Sequence, residues 1–158
     1  LISCTLWLPC TSATSARLYK KRLMEHARKT GFPEEVNLGF SCHDFSMRGM
    51  AGLDAAIISG MAHMTSFCGS ETIPAIEAVE HYYNANVTEE LVAATVPASE
   101  HSVMYAGGED GEIETYRRLI NDLYPTGIIS IVSDTWDFWQ VVEKFLPKLK
   151  ADIMKRDG

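Results

Sequence analysis

The chain has 158 residues, 46% hydrophobic and 22% charged, with a formal net charge of -7. That length suffices for one domain with a real core, without disulfides or metal. The acidic balance and the lack of a long basic run argue against nucleic acid and anionic membranes as partners.

The first stretch, LISCTLWLPCTSATSA, loosely imitates a signal peptide, but it has no positively charged start and no initiator methionine. We read TLWLPC as a buried strand and the chain as beginning inside a longer protein. No apolar run approaches the ~18 to 20 residues of a membrane span. Cys4, Cys10, Cys42 and Cys68 form no C-x-x-C pair and read as reduced thiols of a cytoplasmic protein. The sequon Asn86-Val87-Thr88 is then without consequence, because glycosylation needs the secretory route.

A helix follows from the cap candidates Thr11 to Ser15, with Ala16, Tyr19, Leu23 and Ala27 on one face, and Gly31 and Pro33 end it. VNLGFSC reads as a strand. Leu53, Ile57, Met61 and Met64 mark the next helix, and MTSFCG a short strand. TIPAIEAVEHYYN is a helix with Thr72 as cap, Pro74 in the first turn and a stripe of Ile76, Val79 and Tyr83. ELVAATVPA reads as a strand, GGEDGE (107–112) as a solvated turn, and residues 111–124 as a helix through Ile113, Tyr116, Ile120 and Leu123. GIISIVSD is the clearest strand, a continuous apolar run of the kind covered on both faces. Asp137 caps a last helix with Phe138, Val141, Val142, Phe145 and Leu149 inward and a kink at Pro147.

Strands alternating with amphipathic helices imply an α/β fold with a parallel sheet. Each strand runs out into polar residues: His43, Asp44 and Arg48, then Ser70 and Glu71, then Ser99, Glu100 and His101, then Ser133, Asp134 and Asp137. In a (β/α) barrel those ends share one rim, where active sites are built. Roughly five βα units fit here, against the ~250 residues of a closed eight-strand barrel, so the expectation is an incomplete barrel or a smaller doubly wound sheet.

HDFSMRG (43–49), TVPASEHS (95–102) and IVSDTWD (131–137) resemble the nicotinamide phosphoribosyltransferase family, type II phosphoribosyltransferases. FCGSET and the early PCTSATSARLYKKR fall in the matching order, so the resemblance covers essentially the whole chain. It implies part of an irregular (β/α) barrel with alternating parallel strands and helices, incomplete in this chain. Residues 1–158 would be its central portion, and the active sites of the full-length homodimer would lie at the subunit interface. Nothing in this sequence resembles the family's arginine-proline-aspartate motif or its glycine-rich phosphate loop.

The resemblance also implies roles. Phe45 would stack on the nicotinamide ring and Arg48 would bind near the pyrophosphate, while Asp44 orients Arg48 or a loop amide. Glu71 stands where the family usually has aspartate; its carboxylate would accept from the nicotinamide amide and repel nicotinate. Thr95 and Val96 would line the nicotinamide tunnel. His101 would take a phosphoryl group from ATP, and Asp134 would bind near the ribose and pyrophosphate, directly or through a water of Mg²⁺. The bland alternatives are a core phenylalanine, a surface arginine pair, a glutamate at a helix N-terminus and a histidine held by Glu100 or Ser102.

The implied reaction joins nicotinamide to phosphoribosyl pyrophosphate, giving nicotinamide mononucleotide and pyrophosphate in NAD biosynthesis, with Mg²⁺ carried by the pyrophosphate and no metal site of the protein's own. Rival readings are a nicotinate phosphoribosyltransferase, a non-catalytic α/β binding or dimerisation domain, and a metal-dependent hydrolase built on His43 and Asp44. The last lacks three well-spaced ligands.

Overall fold

Helix α1 runs from Ile2 to Lys29 and includes TLWLPC, which is therefore helical and not a strand. The computed structural model describes residues 2–32 and 38–157, and the side chains of residues 2–5 are outside that description. Extending an existing helix costs little per residue, whereas a buried strand needs neighbours on its edges. Trp7 is 73% exposed, so the segment is not core either. Of the expected stripe only Ala16 is buried, and Tyr19 faces outward. Helix α1 is docked by Lys20 Nζ donating to Ser66 O at 2.6 Å and by Ser12 Oγ meeting Ser59 Oγ at 2.9 Å.

The expected VNLGFSC strand is a 3₁₀ turn at Leu38–Phe40, its first two residues lying outside the described ones. Extended structure begins at β1 (His43–Asp44), followed by a 3₁₀ turn at Ser46–Gly49 and helix α2 (Leu53–Met64). Strand β2 (Gly69–Ser70) pairs with β1 in parallel, His43 opposite Gly69 and Asp44 opposite Ser70. Helix α3 (Ile73–Tyr83) returns against α2, with Met61, Ala75 and Val79 forming their shared core. Small residues set that approach: a Cβ on Gly60 would stand 2.7 Å from Ala75 Cβ. Within ELVAATVPA, Ala94 and Ala98 each form one isolated parallel bridge, Ala94 with Gly69.

The chain divides into two units, Leu1–Thr95 and Val96–Gly158. In the second, a short helix α4 (His101–Tyr105), not among the expected elements, precedes α5 (Glu112–Arg118). Helix α5 continues as a π-turn over Leu119–Leu123. GIISIVSD contributes only the bridge of Ser130 to Ala98, because the described residues give its second edge no partner strand. Asp137 does cap helix α6 (Phe138–Gln140), its Oδ1 accepting from Trp139 N at 3.0 Å and Gln140 N at 3.1 Å. A π-turn over Val141–Phe145 leads into α7 (Leu146–Ile153). The expected break at Pro147 thus becomes a widened turn just ahead of it, which absorbs the missing donor. Met104, Tyr116, Leu119, Ile120, Val141, Phe145 and Leu149 form this unit's core, while Leu123, Phe138 and Val142 stay exposed.

The architecture is α/β, mostly helical, with a small parallel sheet. No helix among the described residues is long and apolar enough to cross a membrane.

Candidate active site

In the first unit three parallel segments end together. Ala94 N donates to Cys68 O at 2.8 Å and Ser70 N to Ala94 O at 3.2 Å, which adds residue 94 beside the β1–β2 pair. Phe45, Glu71 and Thr95 follow directly on these three segments, so the fold brings them to one end. Phe45 is exposed, and its ring lies against His43 with centroids 4.5 Å apart. His43 Nε2 is 3.4 Å from Thr95 Oγ1. Arg48 sits in the exposed Ser46–Gly49 turn.

Asp44 differs from its neighbours in being buried. Its Oδ1 accepts from Ser46 N at 2.9 Å and its Oδ2 from the Thr72 hydroxyl at 2.8 Å. Burial pushes the carboxyl's pKa up, but hydrogen bonds from Ser46 and Thr72 outweigh it and hold the group below the usual aspartate value. Thr72 occupies the N-cap position of α3, yet its side chain makes no cap hydrogen bond. The hydroxyl that the sequence assigned to capping is spent on Asp44. Only the adjacency of Thr72 to Glu71 hinted at this use.

In the second unit the segments around Pro97 and Ser130 run in parallel. Ser130 N donates to Pro97 O, and Ser99 N to Ser130 O, each at 2.9 Å, and Val132 N donates to Ser99 Oγ at 2.9 Å. Past these bonds His101 Nε2 stands 3.0 Å from Asp134 Oδ1, the two side chains 51% and 70% exposed. Tyr105 and Trp136 then meet edge to face, centroids 4.9 Å apart. Tyr116, from α5, supports the segment from behind by donating to Ser133 Oγ at 2.7 Å. His101 thus has Asp134 as a partner across the two parallel segments. Val96 opens this unit.

A solvent-facing histidine held by a carboxylate can accept and release a transferred group, because one nitrogen keeps its lone pair while the other is oriented. An exposed aromatic on one segment end and a carboxylate-bearing residue on the next are groups that could hold a flat base carrying a donor. The hydrolase alternative is built on His43 and Asp44. Asp44 is committed inside the fold, and among the described residues no three His, Cys, Asp or Glu side chains converge.

The chain belongs to the nicotinate phosphoribosyltransferase (NAPRTase) family, whose model matches residues 40–158. It is 51% identical over 99% of its length to a nicotinamide phosphoribosyltransferase of Acinetobacter baylyi. A protein of the same name from Mycoplasma pneumoniae is 37% identical over 96% of the chain, and one from Xanthomonas campestris pv. campestris 29% over 88%. The chain spans about 30% of the length of these relatives.

Proposed function

We propose that this chain is the central portion of a phosphoribosyltransferase (β/α) barrel that makes nicotinamide mononucleotide and pyrophosphate from nicotinamide and phosphoribosyl pyrophosphate. The relatives' shared name supports the substrate, and the His101–Asp134 contact at 3.0 Å is the observation that carries the chemistry. The full-length protein would work in the cytoplasm as a homodimer.

The nicotinamide ring nitrogen attacks the anomeric carbon as pyrophosphate departs, through a transition state of oxocarbenium character. Phe45 stacks on the base and Glu71 accepts from its amide, with Thr95 and Val96 along the approach, so that nitrogen and carbon are aligned before reaction. Arg48 offers its fixed fork of donors to the leaving pyrophosphate. ATP is the second phosphate substrate: its terminal phosphoryl group passes to His101, ADP leaves, and Asp134 holds the ring in place. Magnesium would arrive on the pyrophosphate oxygens, with Asp134 able to meet one of its waters, and would neutralise charge there.

The test supplies purified full-length protein with phosphoribosyl pyrophosphate, ATP, Mg²⁺ and either base, and quantifies both mononucleotides. We expect nicotinamide to be the preferred base. Preferential use of nicotinate, the substrate in the family's name, would overturn the reading of Glu71. Turnover of neither base by a folded protein would favour a non-catalytic domain.

A further inference from the structure

Asp44 and Thr72 are 28 positions apart in sequence and meet at 2.8 Å in the interior of the first unit. Thr72 is fully buried and Asp44 only 8% exposed. The threonine is fixed from three sides. Its backbone N–H donates to Ser70 Oγ at 3.1 Å, its hydroxyl goes to Asp44, and its methyl lies where a Cβ on Gly60 would approach to 3.1 Å. Asp44 is fixed as firmly: its second oxygen holds Ser46 N, and its backbone carbonyl accepts from Glu71 N at 3.0 Å.

What these two residues adjoin gives the contact its meaning. Phe45 follows Asp44 directly, and Glu71 immediately precedes Thr72. A surface ion pair would leave both neighbours loose, whereas a buried charge-assisted hydrogen bond is short, directional and costly to leave unmade. We propose that the Asp44–Thr72 hydrogen bond is a positioning device that holds together the segment ends carrying Phe45 and Glu71, and through those two residues sets affinity and selectivity for the amide base. Asp44 and Thr72 act through those two residues and touch no reacting atom. The inference rests on the function proposed above.

The test compares wild type with T72V and T72S in the full-length protein. Valine keeps the volume but removes the hydroxyl; serine keeps the hydroxyl. For T72V we expect the nicotinamide KM to rise roughly tenfold, with kcat at saturating base little changed. The KM for phosphoribosyl pyrophosphate should stay put, preference over nicotinate should fall, and T72S should restore most of the loss. A nicotinamide KM within about twofold of wild type in T72V would sink the proposal, as would an equal rise for both substrates. So would T72S failing as badly as T72V. Should T72V not fold, T72A is read by the same criteria. If wild type itself does not turn over nicotinamide, the functional reading has failed. If wild type does and T72V matches it, only the positioning role has failed.

Discussion

His101 Nε2 lies 3.0 Å from Asp134 Oδ1, and under the function proposed above that contact sets which nitrogen would react. An ionised carboxylate can only accept, so in the neutral imidazole Nε2 carries the hydrogen and the lone pair falls on Nδ1. Phosphoryl transfer to His101 should therefore give the Nδ1 isomer, which phosphorus NMR of the denatured, base-stabilised enzyme distinguishes from the Nε2 isomer. Replacing Asp134 with alanine frees the ring, and the rate of phosphorylation by ATP should drop about ten- to hundredfold. An Nε2 product, or an unchanged rate, would show that the contact does not orient the ring.

Glu112 carries a different kind of strain. The GGEDGE turn is a turn, as expected, but its last residue is not solvated: Glu112 is fully buried, and among the described residues neither carboxylate oxygen has a hydrogen-bond partner. The backbone is tight just before it, where a Cβ on Gly111 would collide with Gly107 O. Desolvation first, then the nearby Glu109 and Asp137 charges, push the Glu112 pKa above the ordinary value of 4.5.

The consequence for stability has a definite sign. In the folded protein Glu112 holds its proton to higher pH than in the unfolded chain, so its favourable contribution is complete below the ordinary carboxylate pKa. That contribution is lost as pH rises through the folded value. Glu112→Gln mimics the neutral acid and should raise the midpoint of thermal unfolding by about 4 °C at neutral pH. The gain should shrink towards pH 4. Calorimetry of both proteins across that range checks it, and a gain that does not depend on pH would contradict the assignment.

How much of this was legible in the sequence depended on how local the stabilising bonds are. Helix α2 was expected from the Leu53-to-Met64 spacing and has those bounds, and Asp137 caps α6 as read. Helices satisfy their own backbone groups, so spacing and caps suffice. GIISIVSD failed for the opposite reason: an apolar run states that it wants burial and neighbours, not whether they are present. Within each unit the polar ends of parallel segments were legible in part. Phe45, Glu71 and Thr95 end adjacent parallel segments, and His101 meets Asp134. Thr72 was hidden, because a threonine before a helix has a ready local explanation in capping, and its bond to Asp44 spans 28 positions.

Arg156 gives a prediction for the second unit that periodicity did not suggest. Its guanidinium donates to Ile120 O at 2.7 Å, to Tyr124 O, and to Gly127 O at 2.6 Å. These carbonyls lie at and beyond the end of the α5 π-turn, where the helix leaves acceptors without partners. Gly127 N donates to Asp157 O at 2.8 Å beside it, so the same few residues tie the chain's last segment to the start of GIISIVSD. Arg156→Met keeps the stem and removes the fork. It should cost about 1 to 3 kcal/mol, measured by urea unfolding. Arg156→Lys should recover only a minor part, because a single ammonium cannot span three carbonyls held by a planar fork. Full recovery by lysine would mean that the charge, and not the fork, holds the segment.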